Sequence, residues 1–290
     1  MKKVLITGAN SYIGTSFEKW MQQWLNQYII DTVDMIDGKW REKDFSMYDI
    51  VVHVAGIAHV DIKKATNEIK ELYFRVNRDL AIETAVKAKK DGVKQFIFIS
   101  SIIVYGDSSQ FNKCRIIDQD TIPHPSNFYG ESKLQAENVI NEMQCETFRV
   151  AIIRPPIIYG KGSKGNYTIL AKYACKFPIF PNVENQRSML YIDNLCELIH
   201  MIIDNEDCGL FFPQNEEYIK TSELVKRIAE VHGNKIILTK LFNPFLYFFS
   251  FKIQIINKVF GSLVYDKGMS NYSRKYQVYN LDESIIKTEK

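Results

Sequence analysis

Near its amino terminus the chain reads Val4-Leu5-Ile6-Thr7-Gly8-Ala9-Asn10-Ser11-Tyr12-Ile13-Gly14, an apolar run that enters a turn bounded by two glycines. The run predicts a buried strand, and the amphipathic pattern over residues 12–25 predicts the helix that follows it. Gly8 permits a tight turn, and Gly14 lets the helix pack closely on the sheet. Because free amides at the start of such a helix can hold a pyrophosphate, the segment predicts a dinucleotide-binding turn.

Short apolar runs and longer helical patterns alternate through the first half of the chain. We expect further strands at 28–35, 50–54, 95–99 and 148–153, and long helices at about 68–89 and 129–143. Strands that alternate with helices imply a parallel sheet covered by helices. The expected fold class is therefore α/β, a Rossmann-type doubly wound parallel sheet whose ligands lie at the carboxyl ends of the strands.

The sequence pattern changes after Tyr159. The loop Lys161-Gly162-Ser163-Lys164-Gly165-Asn166 leads there into a region rich in proline and aromatic residues. We predict a Rossmann domain over residues 1–160, to which a strand and a helix return at about 187–203. Residues 161–290 are predicted to form a smaller C-terminal lobe that binds the substrate.

The composition is that of an ordinary folded protein, with 46% hydrophobic and 24% charged residues and a formal net charge of +3. So small a charge argues against a protein that coats nucleic acid. Five widely spaced cysteines without a CxxC pair favour free thiols in a reducing compartment; they are Cys114, Cys145, Cys175, Cys196 and Cys208. The apolar run at the amino terminus is too short for a signal peptide. We therefore expect a cytoplasmic protein with no metal, no transmembrane segment and no nucleic-acid partner.

A tyrosine and a lysine four residues apart form the candidate catalytic pair. Tyr129-Gly130-Glu131-Ser132-Lys133 is the one Tyr-x-x-x-Lys match among 16 tyrosines, and it heads the helix before the fifth strand. The i, i+4 spacing places both side chains on one helix face. An ammonium beside a phenol would lower the phenol pKa from about 10, so that Tyr129 can take a proton from a substrate hydroxyl.

A hydroxyl after the fourth strand completes this set. Ser100-Ser101-Ile102-Ile103-Val104-Tyr105-Gly106 resembles the SSxxVYG segment of the NAD-dependent epimerase/dehydratase family, which belongs to the extended short-chain dehydrogenases/reductases. The first turn resembles the TGxxGxxG turn of the same family, with Ser11 in place of the middle glycine. The likeness spans residues 3–200, and it implies NAD as the cofactor and Ser101, Tyr129 and Lys133 as the catalytic set.

Other positions carry expected binding roles. A carboxylate at the end of the second strand would accept hydrogen bonds from the hydroxyl groups of the adenosine ribose. The candidates are Asp31, Asp34 and Asp37, of which Asp34 is preferred. The resemblance implies that Asp44 and Phe45 lie at the adenine, and that Asn166 and Arg187 bind the substrate diphosphate, the latter through its planar guanidinium. It also implies cofactor contacts at Gly8, Asn10, Ser11, Tyr12, Ile13, Gly14, Val54, Ala55, Gly56, Asn77, Tyr129, Lys133 and Pro156.

The resemblance also narrows the reaction. Dehydratases of the family carry an Asp-Glu pair where this chain has Ile102 and Ile103, which cannot move a proton. The favoured expectation is a 4-epimerase of a UDP-hexose or UDP-N-acetylhexosamine in surface polysaccharide synthesis. A 4-ketoreductase and a catalytically silent NAD-sensing or scaffold protein are the alternatives. Galactose epimerases have an asparagine where this chain has Ile157, which leaves the sugar open. Family members often pair as homodimers.

The most apolar part of the chain lies at 241–263, where Pro244, Lys252, Gln254 and Lys258 interrupt the apolar residues. It falls short of the ~20 uninterrupted apolar residues that a membrane span requires. Two interpretations are open. The segment packs on the C-terminal lobe as a helix, or it forms a lipid-facing surface, which would suit a polyprenyl-linked sugar.

Overall fold

The computed structural model describes residues 1–58, 65–111 and 113–290, which fold into two compact units. The first unit comprises Met1–Gly106, Pro123–Pro155 and Leu195–Pro213. The second comprises Asp107–Ile122, Pro156–Asn194 and Gln214–Lys290. The chain therefore passes between the units several times, whereas the sequence predicted one boundary at 160 and a return to the first domain at about 187–203.

In chain order the described strands are β1 (Lys2–Thr7), β2 (Tyr28–Val33), β3 (Ile50–His53), β4 (Gln95–Ile99), β5 (Ile116–Ile117), β6 (Arg149–Ile153), β7 (Ile157–Tyr159), β8 (Ile179–Pro181), β9 (Met189–Tyr191), β10 (Gly209–Phe211), β11 (Ile237–Thr239) and β12 (Val264–Tyr265). The helices are α1 (Tyr12–Met21), α2 (Asn67–Phe74), α3 (Leu80–Lys90), α4 (Phe128–Glu142), α5 (Asn166–Lys176), α6 (Ile192–Asn205), α7 (Thr221–Val231), α8 (Asn243–Ser250), α9 (Gln254–Phe260) and α10 (Leu281–Glu289).

The first unit is built on a six-stranded parallel sheet in the order β10-β6-β4-β3-β1-β2. Its register aligns Thr7 with both Val33 and His53, and Ile99 with Ile153. Because all strands run the same way, the residues that follow β1, β3 and β4 meet at one edge. The glycine turn and the segments that begin with Val54 and Ser100 therefore share this edge.

The core of the first unit lies between the sheet and helices α3 and α4. Fully buried strand side chains such as Val51, Phe96 and Val150 face these helices. The helices present mainly small residues there, namely Ala81, Ala85, Ala88 and Ala136. Small side chains let the helices lie close to the sheet, and this close packing fixes where α4 holds its functional side chains.

The second unit contains three two-stranded parallel pairs, β5 with β12, β7 with β9, and β8 with β11. Helices α5 and α7 pack against each other, and so do α7 and α10. Within the described residues, no helix is both long and apolar enough to cross a bilayer. No disulfide joins the cysteines in the described part of the chain.

Several elements differ from the sequence expectations. The helix expected over 68–89 is divided by a π-helical segment, Arg75–Asp79. Helix α6 does return to the first unit from Leu195 onward, but the strand after Arg187 pairs with β7 in the second unit. The strand that joins the large sheet there is β10, whose three residues are too short to give a periodic signal.

Candidate active site

In the glycine turn, the backbone of Gly8 lies close to the backbone of Ala55. Gly8 has φ +87°, and a Cβ on it would lie 2.9 Å from the Cα and the amide nitrogen of Ala55. A side chain at this position would therefore both strain the backbone and collide with the segment after β3. The amides of Gly8 and Ala9 donate to the carbonyl of Val33 at 2.9 and 3.1 Å, which fastens the turn to the end of β2.

Ser11, the departure from the family's middle glycine, is the N-cap of α1. Its Oγ accepts the amide hydrogen of Gly14 at 3.1 Å, and a Cβ on Gly14 would come within 2.8 Å of that Oγ. An accepting hydroxyl keeps its own hydrogen to donate, and the first amides of a helix have no partner within the helix. The turn therefore fits the pyrophosphate of a dinucleotide without a glycine at position 11.

The three candidate ribose acids have different partners. Asp31 Oδ2 accepts the Tyr48 hydroxyl at 2.7 Å. Asp34 Oδ1 accepts the Ile36 amide at 2.7 Å, and Asp37 Oδ1 accepts the Lys39 amide at 3.0 Å. Asp34 directly follows Val33, the residue bonded to the glycine turn. This position supports the preference for Asp34, which stays a prediction.

Asp44 and Phe45, the acid–apolar pair expected at the adenine, differ in exposure. Asp44 is exposed, and hydrogen bonds from Ser46 hold its pKa below the usual value. Phe45 has no exposed surface and packs in the core, with Trp40 beside it and the Lys87 ammonium 4.9 Å from its ring centre. The Phe45 side chain therefore cannot contact adenine, because the core already encloses the ring. The placement of Asp44 and the Phe45 backbone at the adenine stays a prediction.

The segment after β3 brings a lysine and an asparagine together. A Cβ on Gly56 would lie 3.1 Å from Asn77 Oδ1 and 3.3 Å from Lys133 Nζ. Asn77 lies in the π-helical segment, accepts the Ile57 amide at 2.9 Å and donates to the Ile57 carbonyl at 3.0 Å. Such segments are frequent at functional sites. Because Gly56 has no side chain, the Lys133 side chain has space to reach the end of the sheet. Val54 and Ala55, which precede Gly56, are buried.

His53, the last residue of β3, is neutral. Burial lowers its pKa to about 3, and the positive charge of Lys133 contributes to the shift. Its Nδ1 lies 2.8 Å from the Thr7 hydroxyl, and Phe96 stacks on the ring. The histidine therefore has a packing role and bridges β1 and β3.

Helix α4 begins with a cap that fixes the catalytic tyrosine. Asn127 Oδ1 accepts the amides of Tyr129 and Gly130 at 3.1 and 3.0 Å. A Cβ on Gly130 would lie 2.7 Å from the Ile103 carbonyl oxygen, so only glycine lets α4 approach the segment after Ser101 so closely. As a result the Ser101 hydroxyl lies close enough to the Tyr129 phenol to lower its pKa. The structure thus brings together two of the three residues predicted to catalyse.

Lys133 completes the set, and one of its ammonium hydrogens is donated to the Ile99 carbonyl at 2.9 Å. Burial lowers the pKa of Lys133 to about 8, although the carboxylate of Glu137 raises it in part. Burial raises the pKa of Tyr129 to about 12, the hydrogen bond with Ser101 lowers it, and Tyr73 raises it further. The expectation that Lys133 makes the phenol acidic is thus wrong for this state of the site, since desolvation dominates.

Sequence reasoning missed a buried ion pair behind the catalytic helix. Arg154 Nε and Nη2 donate to Glu137 Oε2 at 3.0 and 2.5 Å, and Arg154 Nη1 donates to the Tyr105 hydroxyl at 2.7 Å. Ser100 Oγ donates to the same carboxylate. Glu137 follows Lys133 by four residues and so lies on the same face of α4. That spacing was the available signal, although burial of the pair depends on the fold.

The remaining predicted residues lie in the second unit. Asn166 is the first residue of α5, and Pro156 is buried immediately before β7. Arg187 is buried, and its Nη2 donates to the carbonyls of Asn257, at 3.4 Å, and of Lys258. Burial lowers the pKa of Arg187 to about 10, and no acid in the described part of the chain opposes that shift. A buried guanidinium held by carbonyl oxygens in this way is well suited to an anionic ligand.

Among residues 1–58, 65–111 and 113–290, no group of three or more His, Cys, Asp or Glu side chains is placed to hold a metal ion. What the site offers is a hydroxyl, a phenol and an amine next to a turn suited to a dinucleotide. This set can remove a proton from a hydroxyl and return it, while a bound cofactor takes up the hydride.

A sequence profile of the NAD dependent epimerase/dehydratase family matches residues 4–211. The chain is 33% identical over 251 residues to UDP-glucose 4-epimerase of Vibrio cholerae, an alignment that covers 79% of this chain and 75% of that protein. It is 28% identical over 279 residues to N-acetyl-alpha-D-glucosaminyl-diphospho-ditrans,octacis-undecaprenol 4-epimerase of Escherichia coli O157:H7, which covers 89% and 81%. The family resemblance seen in the sequence is thereby confirmed.

Solved structures share the fold. UDP-glucuronic acid 4-epimerase from Bacillus cereus in complex with NAD has a TM-score of 0.74 at 17% identity, over 99% of this chain and 95% of that one. A dTDP-4-dehydrorhamnose reductase from Clostridium acetobutylicum has a TM-score of 0.73 at 16% identity, over 99% and 98%. At these identities the likeness shows the fold alone, and it confirms the Rossmann-type α/β class.

Proposed function

Since the chain belongs to the NAD-dependent epimerase/dehydratase family and its cofactor is NAD, we propose that it inverts the C4 hydroxyl of a nucleotide-activated sugar. The expected substrate is a UDP-hexose or a UDP-N-acetylhexosamine that enters surface polysaccharide synthesis. The observation that carries the proposal is the interaction of the Ser101 hydroxyl with that of Tyr129, on the helix that also carries Lys133, at the sheet edge that holds the glycine turn.

The first half of the reaction oxidises C4. Held at the glycine turn between Gly8 and Gly14, NAD would accept the C4 hydrogen as hydride and would later return it. Tyr129 takes the proton of the C4 hydroxyl, and Ser101 donates a hydrogen bond to the sugar oxygen and holds it toward the phenol. Because its pKa is about 12, Tyr129 can accept that proton only after its own phenol proton has passed to solvent. The positive charge of a bound cofactor would favour that ionisation, and an ammonium on Lys133 would act in the same direction, against the larger effect of burial.

The second half reverses these steps on the other face of C4. The 4-ketosugar turns over, its C4 receives hydride on the opposite side, and Tyr129 returns the proton to the oxygen. Atoms and electrons balance over the cycle, so no reductant is consumed. Ile102 and Ile103 follow Ser101 with side chains that cannot carry protons, and this supports inversion at C4 over elimination of water.

Two curated relatives support epimerisation over reduction, because both are named 4-epimerases and align with most of the chain. One acts on a sugar joined to UDP and the other on a sugar joined to undecaprenol through a diphosphate. The diphosphate is common to both carriers, and Arg187 and Asn166 are the residues we propose for it. A homodimer in the cytoplasm is the form in which we expect the enzyme to work.

Cofactor stoichiometry tests the proposal. Purified protein with a trace of NAD should interconvert gluco- and galacto-configured sugars, measured by chromatography of the released sugar, while absorbance at the NADH band stays constant. UDP-N-acetylglucosamine and the same sugar on undecaprenyl diphosphate are to be compared as substrates. If product forms only when a 4-ketosugar and stoichiometric NAD(P)H are supplied, the enzyme is a reductase and the proposal is wrong.

A further inference from the structure

Helices α8 and α9 carry an exposed apolar surface. We call it the α8–α9 face, and it consists of Leu241, Phe242, Phe245, Tyr247, Phe248, Phe249, Phe251, Ile253 and Ile255. Phe245, Phe248 and Ile255 are 67%, 64% and 64% exposed. At the size of these side chains their summed exposed area is on the order of 1000 Å². By comparison, the largest contiguous apolar patch of a typical monomer is roughly 300–600 Å². Such a surface marks an interaction site.

The segment that carries this face contains charged side chains of one sign. From residue 231 to residue 265 the sequence contains Lys235, Lys240, Lys252 and Lys258 and no aspartate or glutamate. The side chains of all four lysines are exposed. Aromatic residues bordered by lysines are the composition that binds the interface of an anionic membrane, where the rings enter the headgroup region and the ammonium groups meet lipid phosphates.

Helix length decides between lying on a membrane and crossing it. Helix α8 has eight residues and is therefore about 12 Å long, far less than the ~30 Å of a hydrocarbon core. Pro244 stands at its start, and Ser250 at its end is buried. The face can therefore enter the headgroup region and cannot span the bilayer.

A second copy of the chain is a poorer occupant. In a two-fold interface the same patch meets itself, so the lysines of one copy would face the lysines of the other with no acid from this segment between them. We propose that the α8–α9 face docks on the surface of an anionic lipid bilayer. This inference does not depend on the proposed reaction, since none of its residues belongs to the candidate active site.

Vesicle flotation of the 290-residue chain tests the inference. The protein should float with vesicles that contain phosphatidylglycerol and stay mostly at the bottom with phosphatidylcholine alone. Phe245→Ser, Phe248→Ser and Ile255→Ser combined should lower the bound-to-free ratio at least about tenfold. Lys240→Gln and Lys252→Gln should each lower it about fivefold on anionic vesicles. Tyr129→Phe should float like the unchanged protein, which separates docking from catalysis.

The matched control is Leu25→Ser with Val86→Ser, which removes exposed apolar side chains of the first unit and should leave flotation unchanged. Thermal melting must show that each variant is folded. The inference is overturned if the unchanged protein stays at the bottom with anionic vesicles, or if the triple variant floats equally well. It is also overturned if sedimentation shows that the triple variant converts a dimer to a monomer, since a second copy would then cover the face.

Discussion

At the scale of single residues, the site is governed by desolvation. Burial favours the neutral form of each group, so it moves the pKa of Tyr129 up and that of Lys133 down. The charges of a bound cofactor and substrate would therefore change the protonation of Tyr129 and Lys133. Ser101 is the side chain whose hydrogen bond already lowers the phenol pKa, which is the direction that proton abstraction needs.

Removal of the Tyr129 hydroxyl should abolish turnover and leave binding intact. Because general acid–base catalysis contributes about 10²–10⁴ in rate, Tyr129→Phe should lower kcat by that factor with a much smaller effect on KM. Steady-state kinetics of sugar interconversion is the measurement. Tyr173→Phe, which removes a hydroxyl from the exposed face of α5, is the control and should keep full activity. Unchanged turnover in Tyr129→Phe would instead favour a non-catalytic protein.

The shifted pKa of Lys133 should appear in the pH dependence of stability. Its pKa is about 8 in the folded chain and 10.5 when unfolded, so the unfolded state binds more protons between these values. The contribution of Lys133 to the free energy of unfolding therefore rises from pH 8 to pH 10. Urea unfolding without added cofactor should show a flatter rise in Lys133→Met than in the unchanged chain. Lys90→Met alters an exposed lysine and should leave the slope unchanged; equal slopes in all three proteins would contradict the shift.

At the scale of elements, two close approaches position the chemistry. The glycine turn touches the segment after β3, and α4 touches the segment after Ser101 through Gly130. The sequence was sufficient to predict both the turn and the Tyr-x-x-x-Lys helix, since glycine spacing and helical periodicity are local signals. The π-helical segment at Asn77 and the burial of Phe45 could not be predicted, because they depend on what packs against them.

A comparison of Gly8 with Gly92 separates the effect of backbone strain from the effect of contact with the segment after β3. Gly8 and Gly92 have φ of +87° and +85°, but a Cβ on Gly92 would meet nothing within 4 Å. Alanine at either position costs about 1–2 kcal/mol for the left-handed backbone. Gly8→Ala should in addition lose the rise in Tm that NAD produces, since the turn must move away from Ala55. Differential scanning fluorimetry with and without NAD is the measurement, and an undiminished shift in Gly8→Ala would contradict the assignment of the turn.

The Glu137–Arg154 pair should matter for stability more than a surface ion pair. Glu137→Met leaves a buried guanidinium without its carboxylate, which we expect to cost about 3–5 kcal/mol in the free energy of unfolding. Replacing both residues by methionine should recover most of that loss, because no unpaired charge remains. Denaturant unfolding of the single and double variants gives the coupling free energy between Glu137 and Arg154. A single variant within about 1 kcal/mol of the unchanged protein would show that the pair is not structural.

At the scale of the whole molecule, the sequence predicted the alternating first half better than the division of the chain. Strands Ile50–His53 and Gln95–Ile99 are buried throughout and each contains one polar residue, at its end or its start. Such nearly continuous apolar runs are typical of sheets buried on both faces and are visible without a structure. The segments 107–122 and 156–194 belong to the second unit through pairings with distant residues, among them β5 with β12. Pairings between short strands far apart in sequence leave no local pattern.

The fate of the hydrogen on C4 tests the central claim most directly. UDP-glucose and UDP-N-acetylglucosamine carrying deuterium at C4 should be incubated with the protein and a trace of NAD, and the products analysed by mass spectrometry and NMR. We predict a galacto-configured product that keeps deuterium at C4, because the same hydride leaves and returns while Tyr129 moves only the hydroxyl proton. A product with ordinary hydrogen at C4, or inversion that persists undiminished in Tyr129→Phe, would contradict the account.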